Sequence, residues 1–347
     1  MSPLTYFLKK IYYRHLDKIL KRYKKFEETK YRNEYLAHYL SPGKIKVCMH
    51  QTGFNREYSR FFTSIDAKDH QFNLVEQPSQ ADVVIFINTI DNKVLMPDQH
   101  SILFFHEPRD YAHLYQSEIN ENHFPKAHMK VVSHLPTPSL FINNSDGIKF
   151  YRSIPYVHFH HNATYDQLSS IDESRRTKLI CSITTGLKGI PGYQNRRSFL
   201  EQYSAINPRF DLFGKFSKLS AAIPSYRGQC IFKWKTVSQY KYSLVIENST
   251  EDYYISEKIF DALICGSMPI YFGSDKIFEV LPREWFYYLP KLDASEFSKM
   301  NAFIATDAYK TVSENRAEIC KLIYEKFGFF SALEKLLANQ PLSIIAK

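Results

Sequence analysis

The apolar positions of this chain fall into short continuous runs separated by polar, turn-forming stretches. Ile45–Met49, Asp82–Ile87, Ile102–Phe105 and Met129–Val132 form one series. Lys178–Ile183, a run at Phe210, Tyr242–Ile246, Met268–Phe272 and Trp285–Tyr288 form a second. Such runs predict buried strands. Helical spacing lies between them. One helix opens at Asn195 and reaches about Ser204. Another opens at Ser256, carries Ile259, Phe260, Leu263 and Ile264, and closes at Gly266. Residues from Ser295 to Leu337 read as a helix-rich tail. Strands that alternate with helices predict α/β architecture. The two series predict two domains, 44–160 and 170–347, with the weakly periodic stretch Tyr156–Ser170 as the linker. The 347 residues suit two such domains.

The first segment, 1–43, has a different pattern and ends at Pro42-Gly43. Leu4, Leu8, Ile11, Ile19, Tyr23 and Phe26 recur at helical spacing. Residues 1–40 hold 10 Lys/Arg against 4 Asp/Glu, most of the chain's formal net charge of +9. A basic amphipathic helix of this kind either lies on an anionic membrane or packs on the protein with a solvated basic face. Both readings stay open. Nucleic acid is not an expected partner, because no recognition motif accompanies the charge. No apolar stretch approaches the ~18–20 residues of a membrane span, and no signal-peptide pattern is present. The five cysteines are dispersed and form no CxxC pair. A reducing compartment is therefore expected, and the sequons at Asn143, Asn162 and Asn248 are expected to stay unmodified. His158, His160 and His161 lack a carboxylate or Cys at ligand spacing, so no metal site is expected.

The stretch Tyr240–Gly273 concentrates the candidate chemistry. It reads as a strand, a polar exit at Glu247-Asn248-Ser249-Thr250, a helix opened by Ser256-Glu257-Lys258, and a second strand. Polar groups gathered at a strand end and a helix start mark the ligand crevice of open α/β sheets. Lys258 sits in a first helical turn, where the dipole disfavours a cation, unless an anion is nearby. Without further information it reads equally as a solvated lysine. Arg196 and Arg197 lie at a helix start just past the Gly-rich loop Gly186–Gly192. That loop is neither GxGxxG nor a P-loop. No Asp-x-Asp metal-diphosphate element occurs in the chain.

These residues resemble glycosyltransferase family 10, the α-1,3/4-fucosyltransferases, of the bacterial type. The resemblance rests on Tyr240-Lys241, Glu247-Asn248-Ser249, Tyr254-Ile255-Ser256-Glu257-Lys258, Pro269 and Gly273. Upstream it takes in Asn195-Arg196-Arg197-Ser198-Phe199 and Phe210–Lys215. It covers roughly residues 178–290, and the N-terminal half matches loosely. It implies the GT-B architecture, two Rossmann-like α/β domains facing across a cleft. It also implies that Arg196, or Arg197 in its place, and Lys258 contact a donor diphosphate, with Asn248, Tyr254 and Glu257 also at the donor and Glu247 either a ligand there or a structural acceptor for loop amides. A carboxylate such as Glu257 can accept both hydroxyls of a ribose diol.

The family's general base is a Glu at a strand end followed by Ser-Pro. Here Phe105-His106-Glu107-Pro108 lacks the Ser, which makes Glu107 the candidate base and His106 the runner-up. A carboxylate ending a buried strand favours a raised pKa. The implied activity is metal-independent, inverting transfer of L-fucose from GDP-β-L-fucose to a glycan hydroxyl, such as a lipopolysaccharide or other surface polysaccharide. No cofactor beyond that donor is implied. The expected place of work is the cytoplasm, peripheral to the inner face of a bacterial membrane. Another GDP-6-deoxyhexose donor, or a non-catalytic glycan- or nucleotide-binding protein on the same fold, are the alternatives.

Overall fold

A computed structural model describes residues 43–50, 71–88, 90–96, 99–109, 128–135, 147–155, 170–185, 191–214, 223–230 and 232–342. It also describes residue 168 and most positions of 7–26. The expectations for the Gly-rich loop at 186–190, for Lys215 and for the three histidines at 158–161 lie outside the described residues.

The first sheet is built from β1 (Ile45–Met49), β2 (Phe72–Val75), β3 (Val83–Ile87), β4 (His100–Phe105), β5 (Met129–Ser133) and β6 (Lys149–Arg152). Its order is β2-β1-β3-β4-β5-β6, and every pairing is parallel. Parallel strands covered on both faces need apolar side chains at consecutive positions. The VVIFI run of β3 meets that need, with all five residues buried.

The second sheet comprises β7 (Lys178–Ile183), β8 (Phe210–Phe213), β9 (Tyr226–Gly228), β10 (Tyr240–Ile246), β11 (Met268–Phe272) and β12 (Tyr287–Tyr288). Its order is β12-β11-β10-β7-β8-β9, again all parallel. The chain runs outward from β7 to β9, then returns to β10 and runs outward the other way. The carboxyl ends of β7 and β10 therefore flank a topological switch point, where a crevice opens.

Three helices matter most here: α1 (Pro191–Ile206), α2 (Lys233–Val237) and α3 (Glu257–Ile264). The C-terminal helices follow as α4 (Ile277–Val280), α5 (Phe297–Ile304), α6 (Tyr309–Glu314), α7 (Arg316–Phe327) and α8 (Phe329–Leu337). α3 buries Ile259, Phe260, Leu263 and Ile264 against the second sheet's core. Each such side chain contributes about 1.5–3 kcal/mol.

The helical tail of the 170–347 segment reaches back to the first sheet. α8 leaves the second domain and packs on the first sheet. Phe329, Phe330, Leu333 and Leu336 join Val47, Phe72, Ile85 and Phe104 in one core. The amphipathic stripe of α8 finds its apolar partner there, and Glu334 accepts a hydrogen bond from the Gln71 amide at 2.9 Å. The missed strands β2 and β6 form the two edges of this sheet.

Gly266 terminates α3 in the left-handed region, at φ +71°. It lies under a guanidinium cluster. Arg176 donates to the Tyr240 and Cys265 carbonyls at 2.9 and 2.8 Å, and Glu173 pairs with both Arg176 and Arg316. A Cβ at Gly266 would meet Arg176 Nη2 at 2.4 Å. Gly266→Ala is expected to cost about 1–3 kcal/mol from backbone strain and displacement of Arg176. Urea denaturation would measure the loss, and an unchanged midpoint would contradict this account.

Candidate active site

Glu247 follows β10, and its amide donates to the Phe272 carbonyl at 2.8 Å and so continues the ladder one residue. The Glu247 side chain turns inward and has no solvent exposure. Its Oε1 accepts the Ser256 backbone amide at 2.8 Å, and its Oε2 accepts the Ser256 hydroxyl at 2.7 Å. Lys258 Nζ completes the arrangement, 3.0 Å from Oε2 and 2.7 Å from Ser256 Oγ. Ser256 is the N-cap of α3 but makes no cap with its own side chain. Glu247 caps the helix instead, which satisfies a buried carboxylate with an orphan N–H, the helix dipole and a cation.

Burial alone would pull the Lys258 ammonium down, but Glu247 and Glu257 outweigh it and raise its pKa above the usual lysine range. Lys258 is therefore charged at neutral pH. Glu257 Oε2 lies 4.0 Å from the same ammonium.

The N-terminus of α1 reaches this strand end because position 192 is glycine. A Cβ there would stand 2.0 Å from the Asn248 carbonyl oxygen. The approach brings buried Arg196 to the end of β10. It donates to Asn248 Oδ1 at 2.6 Å and to the Ile246 carbonyl at 3.3 Å, and its guanidinium lies 5.0 Å from the Tyr193 ring centroid. Arg197 points elsewhere and pairs with Glu201 at 2.7 Å. Of the two adjacent arginines, Arg196 is the one in the crevice. A cleft of about 930 Å³ opens beside Asn248 and is lined by Asn195, Gln202, Thr250, Asp275 and Tyr288 among others. That volume suits a nucleotide-sized ligand.

The first domain presents its own strand ends to this crevice. Glu107 follows β4 and accepts from Asn88 Nδ2 at 3.4 Å. Asn88 follows β3 with φ 61°, and its Oδ1 accepts the His106 amide at 2.8 Å. The side chain of Asn88 thus fixes the turn that carries Glu107. His106 is buried, with its ring edge-on to Phe104 at 5.8 Å. Tyr254 is buried opposite. Burial raises its pKa well above the ordinary value, and the charges of Glu107, Glu247 and Glu257 add to the rise. Its hydroxyl is therefore protonated and able to donate.

Contacts across the cleft involve residues that sequence reasoning missed. Glu251 accepts the Arg109 amide at 3.0 Å and lies 3.3 Å from His134 Nε2. Burial pulls the Glu251 carboxyl up, but the His134 and Arg109 contacts prevail and hold it below the usual range. The His134 ring stands edge-on to Tyr254 at 5.2 Å, and the Arg152 guanidinium stacks on Tyr253 at 4.9 Å. Asn88 alone carried a readable signal, as a residue tolerant of the left-handed region just after a strand. Among the described residues, no group of three or more His, Cys, Asp or Glu is placed to hold a metal ion.

Glu247→Gln preserves shape but removes the charge that holds Lys258 and caps α3. The expected cost is about 2–3 kcal/mol of stability. Lys258 should also lose its fixed position. Thermal unfolding at several pH values would measure the first effect. A variant as stable as the parent at pH 7 would show that the clamp is not needed.

Residues 174–326 match the model described as glycosyltransferase family 10 (fucosyltransferase) C-term. An α-(1,4)-fucosyltransferase of Arabidopsis thaliana is 38% identical over 69 residues, 20% of this chain and 16% of the relative. A GDP-fucose protein O-fucosyltransferase 3 of Gallus gallus is 43% identical over 49 residues, 14% of this chain and 10% of the relative. The chain thus matches less than a fifth of the length of these curated relatives. The structure of Anabaena HepE in complex with UDP-glucose superposes with a TM-score of 0.51 at 10% identity, covering 85% of this chain and all of that one. Two parallel sheets with this strand order and this likeness make the fold GT-B. The crevice between α1, β10 and α3 lies wholly inside residues 174–326, the segment that is similar to the C-terminal domain of glycosyltransferase family 10.

Proposed function

We propose that this protein is a metal-independent, inverting glycosyltransferase that moves L-fucose from GDP-β-L-fucose to a glycan hydroxyl in α linkage. The observation that carries the reading is the meeting of Arg196, Asn248, Tyr254, Glu257 and Lys258 at the end of β10, with Glu107 facing Tyr254 from the other domain. The family match and the fucosyltransferase names of the relatives support it.

In this reading the acceptor oxygen attacks the anomeric carbon as that carbon's bond to the β-phosphate oxygen breaks. Glu107 takes the acceptor proton. Negative charge grows on the departing GDP, and Lys258 and Arg196 are preorganised to meet it. Glu247 and Ser256 use two of the three N–H groups of Lys258, which leaves one for a phosphate oxygen. Glu257 accepts the ribose hydroxyls, and the protonated Tyr254 donates to the donor.

The acceptor we infer is a sugar of a lipopolysaccharide or other surface polysaccharide, reached at the inner face of a bacterial membrane. The support is the N-terminal segment, whose described positions within 7–26 are helical. Tyr13 packs edge-on against Tyr226 at 5.1 Å, over Gly228. Leu8, Tyr12, Ile19 and Phe26 remain more than half exposed, beside exposed Arg14, Lys18, Lys21, Arg22 and Lys25. One side of the helix thus holds the protein, while an apolar stripe with basic flanks suits an anionic bilayer.

Calorimetric titration with GDP in EDTA is expected to give micromolar binding, about −8 kcal/mol. Arg196→Ala and Lys258→Ala should each weaken it by about 10–100-fold. Glu107→Gln should retain GDP binding and lose about 10²–10⁴ in turnover of GDP-fucose with a glycan acceptor. Retained turnover in Glu107→Gln would remove the assigned base, and binding without turnover in the parent would favour a non-catalytic binding protein. Vesicles containing phosphatidylglycerol should co-sediment the protein at low salt, whereas phosphatidylcholine vesicles should not. Equal recovery with both would contradict the membrane reading.

A further inference from the structure

α2 contributes one side chain to the crevice that the reading above does not use. Lys233, the first residue of α2, extends to α3 and places Nζ 2.6 Å from Asp261 Oδ2 and 3.7 Å from Glu257 Oε1. Glu257 and Asp261 stand four residues apart on one face of α3, with side chains only 12% and 4% exposed. Two carboxylates at that spacing repel, and burial sharpens the repulsion. The Lys233 ammonium bridges them. Lys258 approaches the other oxygen of Glu257, so each carboxylate oxygen faces one ammonium. Lys233 also lines a small cavity together with Arg196, Lys258 and Ser182.

We propose that Lys233 is a positioning residue for donor recognition, which holds the Glu257 carboxylate in the orientation that accepts the two ribose hydroxyls of a nucleoside diphosphate. The proposal rests on the reading of Glu257 as the ribose ligand. Asp261 anchors the lysine, and the lysine in turn fixes Glu257. Burial pulls the Lys233 ammonium down, but Asp261 and Glu257 more than compensate and raise its pKa, so it is charged at neutral pH. A contact that merely stapled α2 to α3 would serve stability alone. A positioning role makes a separate demand, that ribose discrimination depend on Lys233.

The test compares binding of GDP and 2′,3′-dideoxy-GDP, measured by calorimetry. The parent is expected to prefer GDP by about 10²-fold, two hydrogen bonds to a charged acceptor. Lys233→Met should lower that preference to below about 10-fold, while Lys233→Arg, which keeps the charge, should retain most of it. Turnover at saturating donor should fall much less than KM rises in Lys233→Met. Lys233→Met/Asp261→Asn removes the carboxylate that would otherwise be buried without its cation. It provides the same comparison should the single variant fail to fold, and reduced discrimination is expected there too.

Glu257→Gln separates the two ideas. If the parent discriminates and Glu257→Gln does not, but a folded Lys233→Met or Lys233→Met/Asp261→Asn variant discriminates like the parent, the role of Lys233 is refuted and that of Glu257 stands. If the parent itself does not distinguish the two nucleotides, both are refuted.

Discussion

One carboxylate with no solvent exposure, that of Glu247, joins the central strand of the second sheet to the helix beside it. An isolated buried carboxylate would cost many kcal/mol, so it requires partners. The Ser256 amide and hydroxyl and the Lys258 ammonium supply them. Those partners fix where α3 starts, and the start of α3 fixes Glu257, Lys258 and Asp261. The sequence left Glu247 as either a donor ligand or a structural acceptor for loop amides. Its burial and its hydrogen bonds make it the clamp from which the neighbouring groups take their positions.

Around that clamp the cluster is close to neutral. Arg196, Lys233 and Lys258 stand against Glu247, Glu257 and Asp261. Cations held near carboxylates stay charged despite burial, and the carboxylates beside Lys233 and Lys258 raise both above the ordinary lysine range. A bare cluster of three cations would not survive desolvation. Paired in this way, the buried cations and carboxylates offset each other's desolvation. The second domain thus holds the charge, and the first brings Glu107 to it. Glu251, His134, Arg109, Arg152 and Tyr253 tie the domains together at the rim.

Much of the fold was legible because parallel strands covered on both faces must be continuously apolar. β1, β7 and β11 have the same bounds in sequence and structure. β2 and β6 escaped for a physical reason. They are edge strands of four residues. The apolar face of β2 is covered by α8, where Phe72 meets Phe330 at 5.4 Å, so its partner lies far along the chain. β6, KFYR, has exposed ends and no apolar run. The same helix explains the tail, whose destination depends on which apolar surface lies open and not on its own periodicity.

The sequence by itself determined the α/β class, the two series of strands and the strand–loop–helix unit at 240–273. Those features depend on local periodicity, turn residues and a spaced motif, all of which are properties of consecutive residues. The tertiary structure alone decided which of two adjacent arginines enters the crevice. It also decided that Glu247 is buried as a cap, that Lys233 reaches α3, and that Glu251 meets His134. The Lys233–Asp261 pair spans 28 residues and the His134–Glu251 pair 117. Contacts of that separation arise only when strand order brings distant segments together. No local pattern encodes them, because the energy that selects them comes from desolvation and charge pairing in the assembled core.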